Sequence, residues 1–143
     1  PGPGEARQQG YHQALSKAAL PVQEEYVIPC DFTEAGGQAA MQALLALPVR
    51  PDAVFAANDV TAMGALSAIH AGGLRVPADI AVMGFDDIPL ARQLNPPLTT
   101  VRQFQTQLGR RAAELLLERL SGRYAGEGRS QEMPYEIVVR KST

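Results

Sequence analysis

Gly73-Leu74-Arg75-Val76-Pro77-Ala78-Asp79-Ile80-Ala81-Val82-Met83-Gly84-Phe85-Asp86-Asp87 joins a helix stop, a buried strand and a pair of carboxylates in one run. Gly72-Gly73 closes a helix over residues 60–71, because glycine accepts the left-handed backbone that ends a helix at no steric cost. Ile80 to Phe85 is a short apolar run without polar alternation, the pattern of a strand covered on both faces in a parallel sheet. Upstream the rhythm repeats. Ala53 to Ala57 reads as a strand ending at Asn58-Asp59, and Glu34 to Leu47 as an Ala/Leu-rich helix stopped by Pro48. Glu25 to Pro29 reads as a further strand leading to Asp31-Phe32. Tyr11, Ala14, Leu15 and Ala18 fall at i, i+3, i+4 and i+7, so residues 5–19 read as an amphipathic helix broken by Pro21. The alternation predicts an α/β fold, a parallel sheet flanked by helices.

Downstream of Asp87 the pattern changes. Residues 88–100 hold Pro89, Pro96 and Pro97, and Leu98-Thr99-Thr100-Val101 reads as a crossover strand. A long helix follows over Arg102 to Leu120, with Phe104, Leu108, Ala112, Leu115, Leu116 and Leu120 as its apolar stripe. No partner for that stripe is evident, and a second copy or a swapped neighbour is expected to cover it. Gly122 to Gln131 reads as a polar loop, and Tyr135 to Val139 as a last strand.

The 143 residues suffice for one domain with a real core, and 45% hydrophobic with 20% charged residues argues against disorder. The net charge is −2 and no basic stripe occurs, so the chain is not expected to grip nucleic acid by itself. A single cysteine, Cys30, excludes an internal disulfide and fits a reducing, cytoplasmic compartment. No apolar run approaches the length needed to span a bilayer, and the N-terminus lacks a signal-peptide pattern.

Ligands of open parallel sheets bind beyond the carboxyl ends of the strands. Here those ends carry Asp31-Phe32, Asn58-Asp59 and Asp86-Asp87. Asn58 and Asp59 could instead simply cap the following helix. Asp86 is harder to explain so, because Pro89 and Leu90 begin no obvious helix. Arg7 lies where a helix dipole opposes a cation; it is either a surface arginine or a guanidinium serving a site. With Asp86 and Asn58 it would offer a guanidinium, a carboxylate and an amide, groups suited to vicinal hydroxyls, and Phe32 could wall a ring.

Other chemistries lack support. Neither a dinucleotide fingerprint nor a phosphate-binding loop occurs. His12 and His70 have no partners at metal-ligand spacing, and Ser16, Ser67 and Ser121 sit in no nucleophile elbow. Asp86-Asp87 could hold Mg²⁺ for phosphoryl transfer, but that chemistry also needs a lysine at a neighbouring strand end, and Lys17 and Lys141 are not so placed. The expectation is therefore a non-enzyme with no catalytic residue, cofactor or metal.

Pro51-Asp52-Ala53-Val54-Phe55-Ala56-Ala57-Asn58-Asp59, followed by Ala62-Met63-Gly64-Ala65, resembles the LacI/GalR family of transcriptional regulators. The opening run from Gly73 to Asp87 is similar to that family's most recognisable segment. Pro96-Pro97-Leu98-Thr99-Thr100-Val101, Val139-Arg140-Lys141-Ser142-Thr143, Arg7-x-x-Gly10-Tyr11 and Asp31-Phe32-Thr33 complete the resemblance in order. It implies a periplasmic-binding-protein-like type I fold. Residues 1–98 and 133–143 would form most of the C-terminal effector-binding subdomain, and residues 99–132 a crossover segment and helix of the otherwise missing N-terminal subdomain. It further implies effector contacts at Arg7, Phe32, Asn58 and Asp86, and a homodimer interface including Met63 and Leu94. The helix over 60–71 supports such an interface, since no charge occurs from Val60 to Leu74; the alternative is cover by the loop at 88–97. The effector would be a small polar molecule, sugar-like, and operator DNA would be bound through a head domain outside this sequence. A periplasmic-type sugar-binding protein of a transport system is the alternative of the same fold. Gly4 and Glu5 depart from the family, whose members often carry another polar or basic residue before the matched arginine.

Overall fold

A computed structural model describes residues 2–143. Helix α1 (Pro3–Lys17) is followed by a 3-10 turn (Glu24–Tyr26), helix α2 (Glu34–Leu45), strand β1 (Ala53–Phe55), helix α3 (Asp59–Ala71) and strand β2 (Ala81–Asp86). A second 3-10 turn (Pro89–Arg92), strand β3 (Thr99–Gln103), helix α4 (Gln105–Leu120) and strand β4 (Tyr135–Val138) complete the described chain. The sheet order is β1-β2-β3-β4. β1, β2 and β3 are parallel, with Ala53 opposite Ala81 and Met83 opposite Thr99. The α/β expectation holds, with one addition: β4 returns antiparallel to β3, Thr100 opposite Val138.

The helix ends follow local chemistry. The Thr33 hydroxyl accepts the Gly36 amide at 2.9 Å and starts α2. Gly73, at φ 73°, closes α3 while the amides of Gly73 and Leu74 return to the His70 and Ile69 carbonyls. Met41, Leu44, Ala62, Ala65, Ile69, Ile80, Val82 and Leu98 fill the core between α2, α3 and the sheet. Two glycines let the helices touch. A Cβ on Gly64 would lie 1.9 Å from the Glu34 carbonyl oxygen, and one on Gly37 would lie 2.1 Å from that of Thr61.

That close approach corrects one expectation. α2 packs on the second apolar face of α3, so the lack of charge there does not by itself call for a partner. Met63 is left half-buried, as is Leu94, while Ser67, His70 and Ala71 are exposed.

A second correction concerns Glu25 to Pro29, expected as a strand. Glu24–Tyr26 is a 3-10 turn, and Val27 to Cys30 runs on without joining the sheet. The Val27 amide is already given to the Glu24 carbonyl, and Pro29 has no amide to give, so a ladder there lacks donors.

The chain passes through position 98/99, read above as a boundary, without leaving the body: Thr99, Thr100 and Val101 are buried within the sheet. The C-terminus is tied to the same strands. The Ser142 hydroxyl accepts the Thr99 amide at 2.8 Å and donates to the Val82 carbonyl at 2.6 Å, while Val82 donates its amide to the Ser142 carbonyl.

The two outer helices form as predicted but bury nothing. No residue of α1 or α4 is buried. Leu108, Leu116, Leu117 and Leu120 of α4 stay exposed, at 44 to 74%, so the stripe is not packed on residues 5–87. The stripe of α1 (Tyr11, Ala14, Leu15 and Ala18) is likewise at best half-covered. Among the described residues, no helix is long and apolar enough to cross a membrane.

Candidate functional site

The carboxyl ends of β1 and β2 bring three of the four predicted residues into direct or near-direct company. Arg7 reaches from the second turn of α1 and donates to the Ala57 carbonyl at 2.8 Å. Its guanidinium also lies 3.9 Å from the centre of the Phe85 ring, a cation–π contact. Arg7 thus meets the residues immediately before Asn58 and Asp86, which makes it more than a solvated surface arginine. Asn58 does cap: its Oδ1 accepts the Thr61 amide at 2.8 Å. Its other end is not idle, because Nδ2 donates to the Phe32 carbonyl at 3.3 Å. Asn58 thus caps α3 and ties the turn at Phe32 to the end of β1.

Phe32 adopts φ 64°, the left-handed region that costs a β-substituted residue energy. The turn before α2 maintains it. Asp31 Oδ1 accepts both the amide and the hydroxyl of Thr33, and those bonds hold the Asp31 carboxyl below its usual range. Phe32 remains more than a third exposed. A Cβ on Gly4 would meet its ring tip at 3.3 Å, so the departure from the family at Gly4 gives the Phe32 ring its room.

Asp86 stands apart from the other three. Its carboxylate accepts Gln103 Nε2 at 3.0 Å, and its backbone is at φ 116°. Asp87 follows at φ 53°. Asp87 accepts Arg102 Nε at 2.7 Å and also a guanidinium nitrogen of Arg140. Burial pushes the Asp87 carboxyl up, but the Arg140 and Arg102 guanidiniums outweigh it and hold the group below its usual range. Two depressions flank the strand ends. One, of about 540 Å³, is lined by Arg7, Phe32, Ala57, Ile28, Met41 and Val54 among others. The other, of about 350 Å³, holds Asp86, Asp87, Arg92, Arg102 and Gln103. Arg7 and Phe32 therefore line one recess and Asp86 the other, with Asn58 and Phe85 between them in sequence.

Two polar residues escaped the sequence reading. Gln103 was read as part of the helix over Arg102 to Leu120, but Arg102 and Gln103 continue β3. Asp59, offered above as a helix cap, turns inward instead. It is fully buried, accepting the Thr100 hydroxyl at 2.6 Å and the Ile88 amide at 2.9 Å. Burial raises its carboxyl above the usual range, against both of those bonds, and the charges of Asp86 and Asp87 raise it further. Gly84 was the available signal: a glycine inside an apolar strand marks a close approach, and a Cβ there would sit 2.3 Å from Asp59 Oδ1.

Asp87 is saturated by two arginines, and no group of three or more His, Cys, Asp or Glu side chains able to hold a metal ion occurs among the described residues. The groups left to meet a ligand are hydrogen-bonding and aromatic, the chemistry of reversible recognition.

Comparison with known proteins bears on the family and the fold. The family model described as "Periplasmic binding protein-like domain" matches residues 1–143. The HTH-type transcriptional repressor CytR of Escherichia coli (strain K12) is 45% identical over 137 residues, covering 96% of this chain and 40% of that protein. A solved complex of the transcriptional regulator CelR with cellobiose superposes with a TM-score of 0.91 at 40% identity, covering 96% of this chain and 42% of that one. A LacI-family transcriptional regulator of Lactobacillus casei with bound sucrose gives a TM-score of 0.83 at 34% identity, covering 98% and 51%. The chain thus spans about two-fifths of the curated repressor's length. It belongs to the periplasmic-binding-protein-like domain family, and over its length it is similar to the corresponding portion of LacI-type transcriptional regulators.

Proposed function

We propose that this chain is the effector-sensing part of a cytoplasmic LacI-type repressor, and that it takes a sugar-like ligand at the carboxyl ends of β1 and β2. Arg7, Phe32, Asn58 and Asp86 would contact the ligand. The observation that carries this reading is Arg7, held between the Ala57 carbonyl and the Phe85 ring at the strand ends that Asn58 and Asp86 extend. A guanidinium, a carboxylate and an amide offer paired donors and acceptors to neighbouring hydroxyls, and Phe32 offers an apolar face. The sugar class gains support from the cellobiose and sucrose bound by two related regulators.

Residues 1–103 and 133–143 would form the C-terminal subdomain. The crossover would begin where the sheet ends, at Phe104, so that α4 and its leucines pack against the remainder of the full-length protein. An effector bridging the two subdomains shifts their arrangement only by its differential affinity for the two states, and operator binding by a separate head domain would follow that shift. The protein would act without catalysis. Met63 and Leu94, half-buried on the body, would lie in a homodimer interface. Met63→Asp in the full-length protein should then sediment as a monomer; an unchanged dimer removes Met63 from the interface.

A thermal-shift screen of the full-length protein against mono- and disaccharides, nucleosides and polyols tests the ligand class. A sugar at about a hundred times its Kd should stabilise by about 2.7 kcal/mol. A shift with nucleosides and none with any sugar overturns the sugar reading.

A further inference from the structure

We infer that Asp59 is a positioning residue for the candidate site: its buried carboxylate pins the Asp86-Asp87 turn in the backbone conformation that presents Asp86. The inference rests on the proposal that Asp86 meets the ligand, but its physical part stands without any ligand.

The turn is costly by itself. Asp86 at φ 116° and Asp87 at φ 53° are consecutive residues with side chains in positive-φ backbone, a combination that persists only where surrounding structure holds it. Each side of the turn has its own restraint. Arg102 and Arg140 hold the Asp87 side chain. Asp59 holds the backbone just beyond it, accepting the Ile88 amide at 2.9 Å. The second carboxylate oxygen of Asp59 is oriented by the Thr100 hydroxyl at 2.6 Å. Gly84, two residues before Asp86, leaves the space this carboxylate occupies.

The position of Asp59 in the chain explains the arrangement. Asn58 performs the capping of α3, so Asp59 is free of that duty and points into the body at the first turn of the helix. The first turn of α3 is thereby tied to the exit of β2 and to β3 through one side chain. Alanine at 59 would leave the Ile88 amide and the Thr100 hydroxyl without their acceptor. Asparagine keeps the shape and a carbonyl oxygen for the Ile88 amide, while its amide group can donate to a rotated Thr100 hydroxyl.

The test uses the full-length protein and two measurements. Amide hydrogen exchange without ligand should show residues 86–88 exchanging at least tenfold faster in Asp59→Ala, with the β1 and β2 amides unchanged, and Asp59→Asn should restore most of that protection. Should Asp59→Ala fail to fold, Thr100→Val carries the same expectation at the Ile88 amide, because it removes one of the two partners of the carboxylate; the Asp87 amide, which the Thr100 hydroxyl itself accepts, does not count in that variant. Faster exchange spread evenly over α3 and the sheet, or none at residues 86–88, overturns the positioning role. Calorimetry with cellobiose as the probe supplies the second arm. Binding weakened at least tenfold in Asp59→Ala and within threefold of wild type in Asp59→Asn supports the link to the site. Binding unaffected by Asp59→Ala but abolished by Asp86→Ala overturns that link. Binding unaffected by Asp86→Ala overturns instead the placing of the ligand at Asp86. If wild type does not bind cellobiose, the exchange result alone decides for or against Asp59 as the pin.

Discussion

Two carboxylates in this molecule are each paired with two arginines, and they differ chiefly in where they sit. Asp87, in the body, meets Arg102 and Arg140, and its side chain is 3% exposed. Glu118, on α4, meets Arg111 and Arg129 with a side chain 31% exposed. The same pairing chemistry therefore stands in two solvents. Where water has been excluded, losing one partner strands a charge; where water remains, it replaces the partner at little cost. The contrast extends to the elements that carry them. The body of α2, α3 and the sheet has a contiguous core, whereas α1 and α4 have none. One part of the chain is finished by its own sequence, and the other presents surfaces.

The largest expected effect is at Asp87. Asp87→Ala should destabilise the chain by about 3–5 kcal/mol, because it leaves Arg140 half-enclosed and without its anion. Glu118→Ala should leave the midpoint of urea unfolding unchanged. Equal losses in the two variants break the comparison.

Apolar side chains sharpen it next. Ile69 is fully buried, and Ile69→Ala should cost about 2–5 kcal/mol in urea unfolding. Leu116, 59% exposed, should cost less than about 0.5 kcal/mol when replaced by alanine in this chain. In the full-length protein the same Leu116→Ala change should cost several times more, since the remainder would cover α4. An equally small loss in both contexts would mean that α4 has no partner there.

The smallest effect is a pH dependence. The folded-state pKa of Asp87 lies below its usual 3.8. Its stabilisation is thus present above that value and is lost as the pH falls through the lower folded one. Asp59 has the opposite sign: its raised pKa gives a contribution that is full below 3.8 and declines as the pH rises through the folded value. Asp87→Asn should therefore flatten the acid limb of stability below about pH 4, and Glu118→Gln should flatten it less, because the hydrogen bond from Arg129 also holds the Glu118 carboxyl below its usual range but in a pair screened by water. Thermal melts from about pH 2 to 5 decide between them. An acid limb as steep in Asp87→Asn as in wild type would place the acid sensitivity elsewhere.

The same division explains what could be read in the sequence. Strand β2 and helices α2 and α3 bury apolar side chains along their length, so their patterning and stops located them within a few residues. Glu25 to Pro29 has a strand's composition, but a strand also needs a ladder, and neither Val27 nor Pro29 has an amide to spare. Of the candidate site, Arg7, Phe32, Asn58 and Asp86 were named because strand ends and family motifs point to them. Asp59 was misread because Asp and Asn beside a helix start look alike in sequence; only folding shows that Asn58 faces the helix amides and Asp59 the core. Gln103 was assigned to the helix over Arg102 to Leu120 and so to no site, since its partner Asp86 is brought to it only by the register of β3 on β2.

The most direct test of the account is a calorimetric titration of the full-length protein, wild type and Asp86→Ala, with the sugar that gives the largest thermal shift. The account predicts saturable binding by wild type and a loss of about 2–4 kcal/mol in Asp86→Ala, the usual cost of removing a charged hydrogen-bonding partner from a desolvated site. Arg7→Ala should show a similar loss. Unchanged affinity in both variants would contradict the placing of the effector at the ends of β1 and β2.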